Sequence, residues 1–244
     1  TLQNLRHPGI IHIFPLRIDN RVAYAARAFE YPKPWYFAME YIAGKDLSAY
    51  TRKFKKMPLP WLIELFYQIL TTVDFMHRIG YAHCDLKPSN IMFRQEPKPD
   101  TVPVPILIDF GGAVQRRRGI RQLAASIRYS PPEVILALDR QDIPAHELLP
   151  HPDKIDIWAL GAILFEIVTG RPLINERTQK KISTTILQGE LDSMRSRRHD
   201  VDKSLDTVLR RMLRRNPTER PNTRTLIEAI EERIASIRPP RISG

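Results

Sequence analysis

Two short stretches concentrate side chains capable of chemistry: His83-Cys84-Asp85-Leu86-Lys87-Pro88-Ser89-Asn90 and Ile108-Asp109-Phe110-Gly111. Between them they set two carboxylates, an ammonium and a carboxamide on tight turns next to short apolar segments. Such a set can hold Mg²⁺ and phosphate oxygens. Hard cations take oxygen ligands, and Mg²⁺ needs only one or two carboxylates beside the phosphates of a substrate. Asn90 and Asp109 suit the metal, which leaves Asp85 free to accept a proton.

The elements that must position these residues follow from the apolar pattern. Trp61, Leu62, Leu65, Phe66, Ile69, Leu70, Val73 and Met76 recur at helical spacing up to Gly80, which predicts a helix over 61–78 with one buried stripe. Ile91-Met92-Phe93 and Ile106-Leu107-Ile108 are too short for helices and read as a small pair of strands flanking a proline-rich excursion at 95–105. In 155–168 only Asp156, Gly161 and Glu166 are not apolar, so this segment is a central core helix, stopped by Gly170 and Pro172. It is too short for a membrane span, which takes ~20 residues. Asp156 inside it needs partners, because a buried carboxylate is costly without them. Two later helices carry Leu205, Val208, Leu209, Met212 and Leu213, then Leu226, Ile227, Ile230, Ile234 and Ile237, the second opened by a capping box from Thr225 to Glu228. Strand-like runs precede all of these, at Ile10, Ile11, Ile13 and Phe14 and at Trp35-Tyr36-Phe37-Ala38-Met39.

Composition narrows the class further. The chain's 244 residues, 43% of them hydrophobic, suit one large or two-lobed domain. A single cysteine, Cys84, excludes a disulfide scaffold. Of ten glycines no two are separated by one residue and none precedes Lys-Ser or Lys-Thr, so neither a GxGxxG phosphate loop nor a Walker loop is present. A net charge of +11 favours acidic partners, while no nucleic-acid-binding motif accompanies it.

The two stretches resemble the catalytic loop (83–90) and metal-binding turn (109–111) of eukaryotic protein kinases. Tyr129-Ser130-Pro131-Pro132-Glu133 is similar to that family's Ala-Pro-Glu segment, and Asp156-Ile157-Trp158-Ala159-Leu160-Gly161 to its central helix. Asn216-Pro217-Thr218-Glu219-Arg220-Pro221 resembles its late turn. The resemblance implies that Asp85 orients and deprotonates the acceptor, Lys87 neutralises charge on the transferred phosphoryl, and Asn90 and Asp109 hold Mg²⁺. It also implies that Asp156 accepts hydrogen bonds from the catalytic-loop backbone and that Arg220 pairs with Glu133. Met39-Glu40-Tyr41-Ile42-Ala43-Gly44-Lys45-Asp46-Leu47 is similar to the family's hinge. On that match Met39 is the gatekeeper and backbone groups of Glu40 and Ile42 meet adenine. Asp46 reaches ribose or substrate, and Met92 and Leu47 pack beneath the ring. Leu2, Ile13, His83 and Phe110 match the apolar column linking the family's two lobes.

The implied fold is α+β and two-lobed, with 1–42 the remainder of the small lobe and hinge, 43–240 the large lobe, and 109–133 the activation segment. The implied cofactors are ATP and Mg²⁺, the substrate is a protein, and the setting is intracellular, cytoplasmic or nuclear. Lys87, together with Ser126 where Ser/Thr kinases bridge the catalytic Asp and Lys, implies a Ser or Thr acceptor.

Departures from the family pattern carry expectations of their own. His7-Pro8-Gly9-Ile10-Ile11 matches the stretch just after the regulatory helix, so the Gly-rich lid, the third-strand Lys and its Glu partner are expected upstream of Thr1, and the chain alone is expected to be inactive. Cys84 stands where the family usually has an Arg that reads a phosphate on the activation segment, and 112–125 contain no Ser, Thr or Tyr. Activity is therefore expected not to depend on phosphorylation of that loop. Arg116, Arg117, Arg118, Arg121 and Arg128, with no acid between Gly112 and Ser130, suggest acidic or already phosphorylated substrates, against the alternative of a charge run folded back on the protein's own acids. The rival function is a pseudokinase or kinase-like scaffold.

Overall fold

The computed structural model describes residues 6–18, 21–27, 35–120, 126–140 and 142–237. Its first part is extended. Strand β1 (Ile13–Phe14) pairs antiparallel with β6 (Ala38–Met39), β2 (Leu16–Ile18) with β3 (Arg21–Ala23), and β4 (Ala26–Arg27) with β5 (Trp35–Tyr36). The single strand expected over 35–39 is thus two, because a break at Phe37 hands the chain from one partner strand to another.

Helices dominate the rest. After α1 (Leu47–Phe54), helix α2 runs Leu59–Arg78, two residues longer at its start than the apolar stripe predicts. Pro60 falls in its first turn, where the missing N–H breaks no helical hydrogen bond. β7 (Tyr81–Ala82) leads into residues 83–90, and β8 (Ile91–Phe93) pairs with β9 (Pro105–Leu107) in the register Ile91↔Leu107. Ile108, expected in that strand, lies just past it and gives its N–H to the Asn90 carbonyl at 2.9 Å. β10 (Val114–Gln115) returns to pair with β7. Then follow α3 (Pro132–Leu138), α4 (Ala145–Leu148), α5 (Pro152–Thr169), α6 (Gln179–Gln188), α7 (Lys203–Met212) and α8 (Thr223–Ile237).

α5 is the axis of the main core. It is buried on every side from Ile155 to Thr169 and ends at Gly170, whose φ of 70° is the left-handed conformation that closes a helix. α1, α2, α7 and α8 contribute to the same core cluster. A small second cluster joins Ile120 to Val134, Leu149 and Ile155, and a third joins Ile11, Ile42 and Ile106, with Met92 and Phe110 against it. The expected capping box at Thr225 is displaced: α8 already starts at Thr223, and the Asn222 side chain accepts the Thr225 N–H at 2.8 Å, so Asn222 caps the helix.

The extended part is fastened to the helical part at Gly44. Phe93 N–H donates to the Lys45 carbonyl at 3.1 Å, and a Cβ at position 44 would lie 1.7 Å from the Phe93 carbonyl oxygen. Gly44→Ala therefore forces two backbones apart. We expect a loss of about 2 kcal/mol in stability, read as a lower urea midpoint.

Candidate active site

The central helix supplies the anchor. Asp156 is fully buried and accepts the His83 N–H, the Cys84 N–H and a hydrogen bond from His77 Nε2, each at 2.8 Å. These bonds hold Cys84 at φ 61°, a left-handed conformation that costs a non-glycine residue ~1–3 kcal/mol. Asp156→Asn offers a single acceptor oxygen and turns an NH₂ group toward backbone donors. A loss of about 3 kcal/mol in chemical denaturation is the expected result.

Held in this way, the loop gathers its polar groups around Asp85. Lys87 Nζ lies 2.7 Å from Asp85 Oδ2 and donates to Ser126 Oγ at 3.0 Å, crossing from the loop to the segment before α3. Asn90 Nδ2 donates to the Asp85 carbonyl at 2.9 Å, which fixes the amide and leaves its oxygen unpaired among the described residues. The Lys87 and Asp85 side chains are 23% and 14% exposed, open enough to meet another molecule.

Asp109 follows β9 at φ 57°, and its Oδ1 accepts the Gly111 N–H at 3.2 Å. The Phe110 ring packs 5.2 Å from His83. His83 Nδ1 accepts the Asp85 N–H at 3.4 Å while Nε2 faces the Ile108 carbonyl at 3.3 Å, so the tautomer with hydrogen on Nε2 serves both contacts. Burial lowers the His83 pKa and keeps the ring neutral. Of the apolar column, Ile13 is buried on β1 outside the three clusters, and Leu2 lies outside the described residues.

The oxygen donors suit Mg²⁺ as a cofactor shared with a phosphate-bearing ligand. Among the described residues no three His, Cys, Asp or Glu side chains cluster as a metal cage. Asp109 Oδ2 and the Asn90 amide oxygen are a partial set of the kind Mg²⁺ completes with phosphates and water.

On the hinge side, Met39 is half-exposed and the Glu40 N–H is bound by the His12 carbonyl at 2.8 Å. The Glu40 carbonyl and Ile42 N–H are left without backbone partners among the described residues. Ile42 and Met92 share the third cluster. Asp46 caps α1, accepting the Ala49 N–H at 3.1 Å and the Ser48 hydroxyl. Leu47 departs from the sequence reading: it has no exposed surface and belongs to the main core, and a side chain without accessible surface cannot line an open cleft.

On the far side, Glu133 in α3 meets Arg220 in a bidentate pair at 2.6 and 2.8 Å. Two features escaped the sequence reading. Glu166 accepts the Tyr129 hydroxyl at 2.8 Å and the Thr51 hydroxyl at 3.1 Å, tying α5 to α1 and to the turn before α3. Burial pushes its carboxyl up, against the pull of those two donors. Its sequence signal, one more acid in an apolar helix, equals that of Asp156. Arg128, counted in the basic run, instead donates to the carbonyls of Ile174 and Glu176. Arg116 pairs with Asp153 at 3.2 Å, Arg117 and Arg118 stay exposed, and Arg121 lies outside the described residues. Burial raises the Cys84 thiol well above its ordinary range, which makes it a poor nucleophile. No described helix is long and apolar enough to cross a membrane.

The protein kinase domain family matches residues 1–230. A Wee1-like protein kinase of Arabidopsis thaliana is 29% identical over 211 residues, covering 86% of this chain and 37% of that protein. Sperm motility kinase 3A of Mus musculus is 30% identical over 217 residues, covering 88% and 37%. An SNF-related serine/threonine-protein kinase of Homo sapiens is 28% identical over 219 residues, covering 88% and 25%. The chain thus spans a quarter to two-fifths of the length of these relatives. With a match across nearly all its length and a mixed helix-and-strand fold of the kinase type, the chain belongs to the protein kinase domain family.

Proposed function

We propose that the full-length protein is an ATP-dependent kinase acting on Ser or Thr hydroxyls of proteins. The observation that carries this reading is Lys87 Nζ set between Asp85 Oδ2 and Ser126 Oγ. Asp85 takes the hydroxyl proton of the acceptor, and Lys87 neutralises phosphoryl charge. Asn90 and Asp109 would hold Mg²⁺, which would supply positive charge to offset that of the phosphates. The Glu40 carbonyl, the Ile42 N–H, Met39 and Met92 receive the purine, and Asp46 the ribose. In this reading 1–42 complete a small lobe with its hinge, 43–240 form the large lobe, and 109–133 the activation segment, in an intracellular, cytoplasmic or nuclear protein. Exposed Arg117 and Arg118 support acidic or phosphorylated substrates.

The test is Mg²⁺-ATP phosphotransfer to matched Ser, Thr and Tyr peptides. Transfer to Ser or Thr alone, abolished in Asp109→Asn, is expected; equal rates in wild type and Asp109→Asn overturn the assignment. Because 112–125 offer no hydroxyl, phosphatase treatment is expected to leave the rate unchanged. Cys84 in place of a phosphate-reading guanidinium favours a scaffold as the second reading, which nucleotide binding without any transfer would support.

A further inference from the structure

A cavity of about 370 Å³ lies behind the start of the activation segment, outside the site described above. Its walls are the end of α2, the turn after β10 and the start of α5, and they present Arg78, Arg116, Arg117, His77, His151 and Asp153. Among the lining side chains one carboxylate faces three guanidiniums and two imidazoles, with the Asp156 carboxylate behind them on His77 Nε2 at 2.8 Å. That carboxylate is engaged by Arg116, and Arg78 is oriented by Asp74 at 2.9 Å. Arg117 is exposed and makes no ion pair among the described residues.

The backbone fixes this charge in place. β10 pairs with β7, the Arg116 N–H donates to the Gly80 carbonyl at 2.9 Å, and Ile120 is buried against Leu149 and Ile155. The arginine turn is therefore held at both ends. α5 opens into the same cavity, and no side chain caps its first turn. Its positive end adds to the guanidinium field.

We propose that this cavity binds the phosphate monoester dianion of a phosphorylated Ser or Thr on a protein partner, with Arg117 and Arg78 taking its oxygens. Arg forks match phosphate oxygens in pairs, and the anchored backbone limits what must be ordered on binding to the arginine side chains. Among the described residues no Phe, Tyr or Trp lines the cavity, so a nucleic-acid base has no platform there on which to stack. Inorganic phosphate shares the chemistry and serves as a second probe.

Calorimetry on the full-length protein without ATP tests this independently of any catalysis. The probes are a phosphoserine peptide, the same peptide with Ser, and inorganic phosphate. Wild type is compared with Arg117→Glu and with Lys203→Glu, which makes the same charge reversal at an exposed residue of α7 outside the cavity. The phosphopeptide is expected to saturate, the Ser peptide to show no binding, and Arg117→Glu to bind at least about tenfold more weakly while Lys203→Glu matches wild type. Saturable phosphate binding without the phosphopeptide keeps the dianion site and overturns the partner's phosphoserine as its source. Equal losses in the two variants, equal binding of both peptides, or no saturation by any probe overturns the proposal.

Discussion

Replacing Asp85 by Asn is expected to lower phosphotransfer by the full-length protein about 10²–10⁴-fold while its melting temperature stays close to wild type. The substitution keeps the side-chain volume and removes the group that can take a proton. The loop does not lean on that carboxylate for its shape: Asn90 binds the Asp85 backbone carbonyl at 2.9 Å, and Asp156 holds the two residues before it. The contacts weakened are the Lys87 pair and a long 3.5 Å hydrogen bond from Asn90 Nδ2, and a partly solvated pair of this kind is worth only ~0–1 kcal/mol. Rate and stability should therefore separate. Measuring kcat and KM for ATP beside a thermal melt checks both halves. A rate within twofold of wild type would remove Asp85 from the chemistry, and a large drop in melting temperature would make its role structural.

The legible parts of this chain were those whose partners lie close in sequence or whose pattern repeats. α2 and α5 follow from apolar spacing, and their starts were misjudged by two and three residues because Pro60 and Pro152 occupy first turns that an apolar count does not see. Strands β8 and β9 follow from two short apolar runs, with the edge shifted onto Pro105. Asp85, Lys87 and Asn90 converge because they share one loop. Burial and carbonyl acceptors were hidden. Leu47 reads the same in sequence whether it lines a cleft or fills a core. Arg128 reads as free charge, because the carbonyls of Ile174 and Glu176 that bind it belong to the backbone and leave no mark on residue type. Glu166 stands in sequence only as one more acid in an apolar helix, because Tyr129 and Thr51 reach it from two other elements that only the fold brings there.

Glu133→Ala is expected to cost about 3–5 kcal/mol of native stability, the largest structural effect of any single change considered. The magnitude comes from what stays behind. Arg220 has no exposed side-chain surface, and its N–H groups are all bound: two by Glu133 at 2.6 and 2.8 Å, and three by the carbonyls of Arg214, Lys154 and Arg215 at 2.7, 2.8 and 3.1 Å. Its guanidinium also lies 5.2 Å from the Trp158 ring on α5. Removing the carboxylate leaves a buried positive charge with carbonyl dipoles alone to balance it. Since domains are stable by only ~5–15 kcal/mol, the loss is a large share of the total. The double variant with Arg220→Met removes that stranded charge, so it should cost less than the two single changes added together, the mark of a coupled buried pair. Urea unfolding of the full-length protein reads this as a fall in midpoint at constant slope. A loss below about 1 kcal/mol for Glu133→Ala would mean that water reaches the pair, as at a surface ion pair. Because Glu133 sits in the first turn of α3, directly after the turn that follows Ser126, the same substitution should loosen Ser126 against Lys87 and lower kcat.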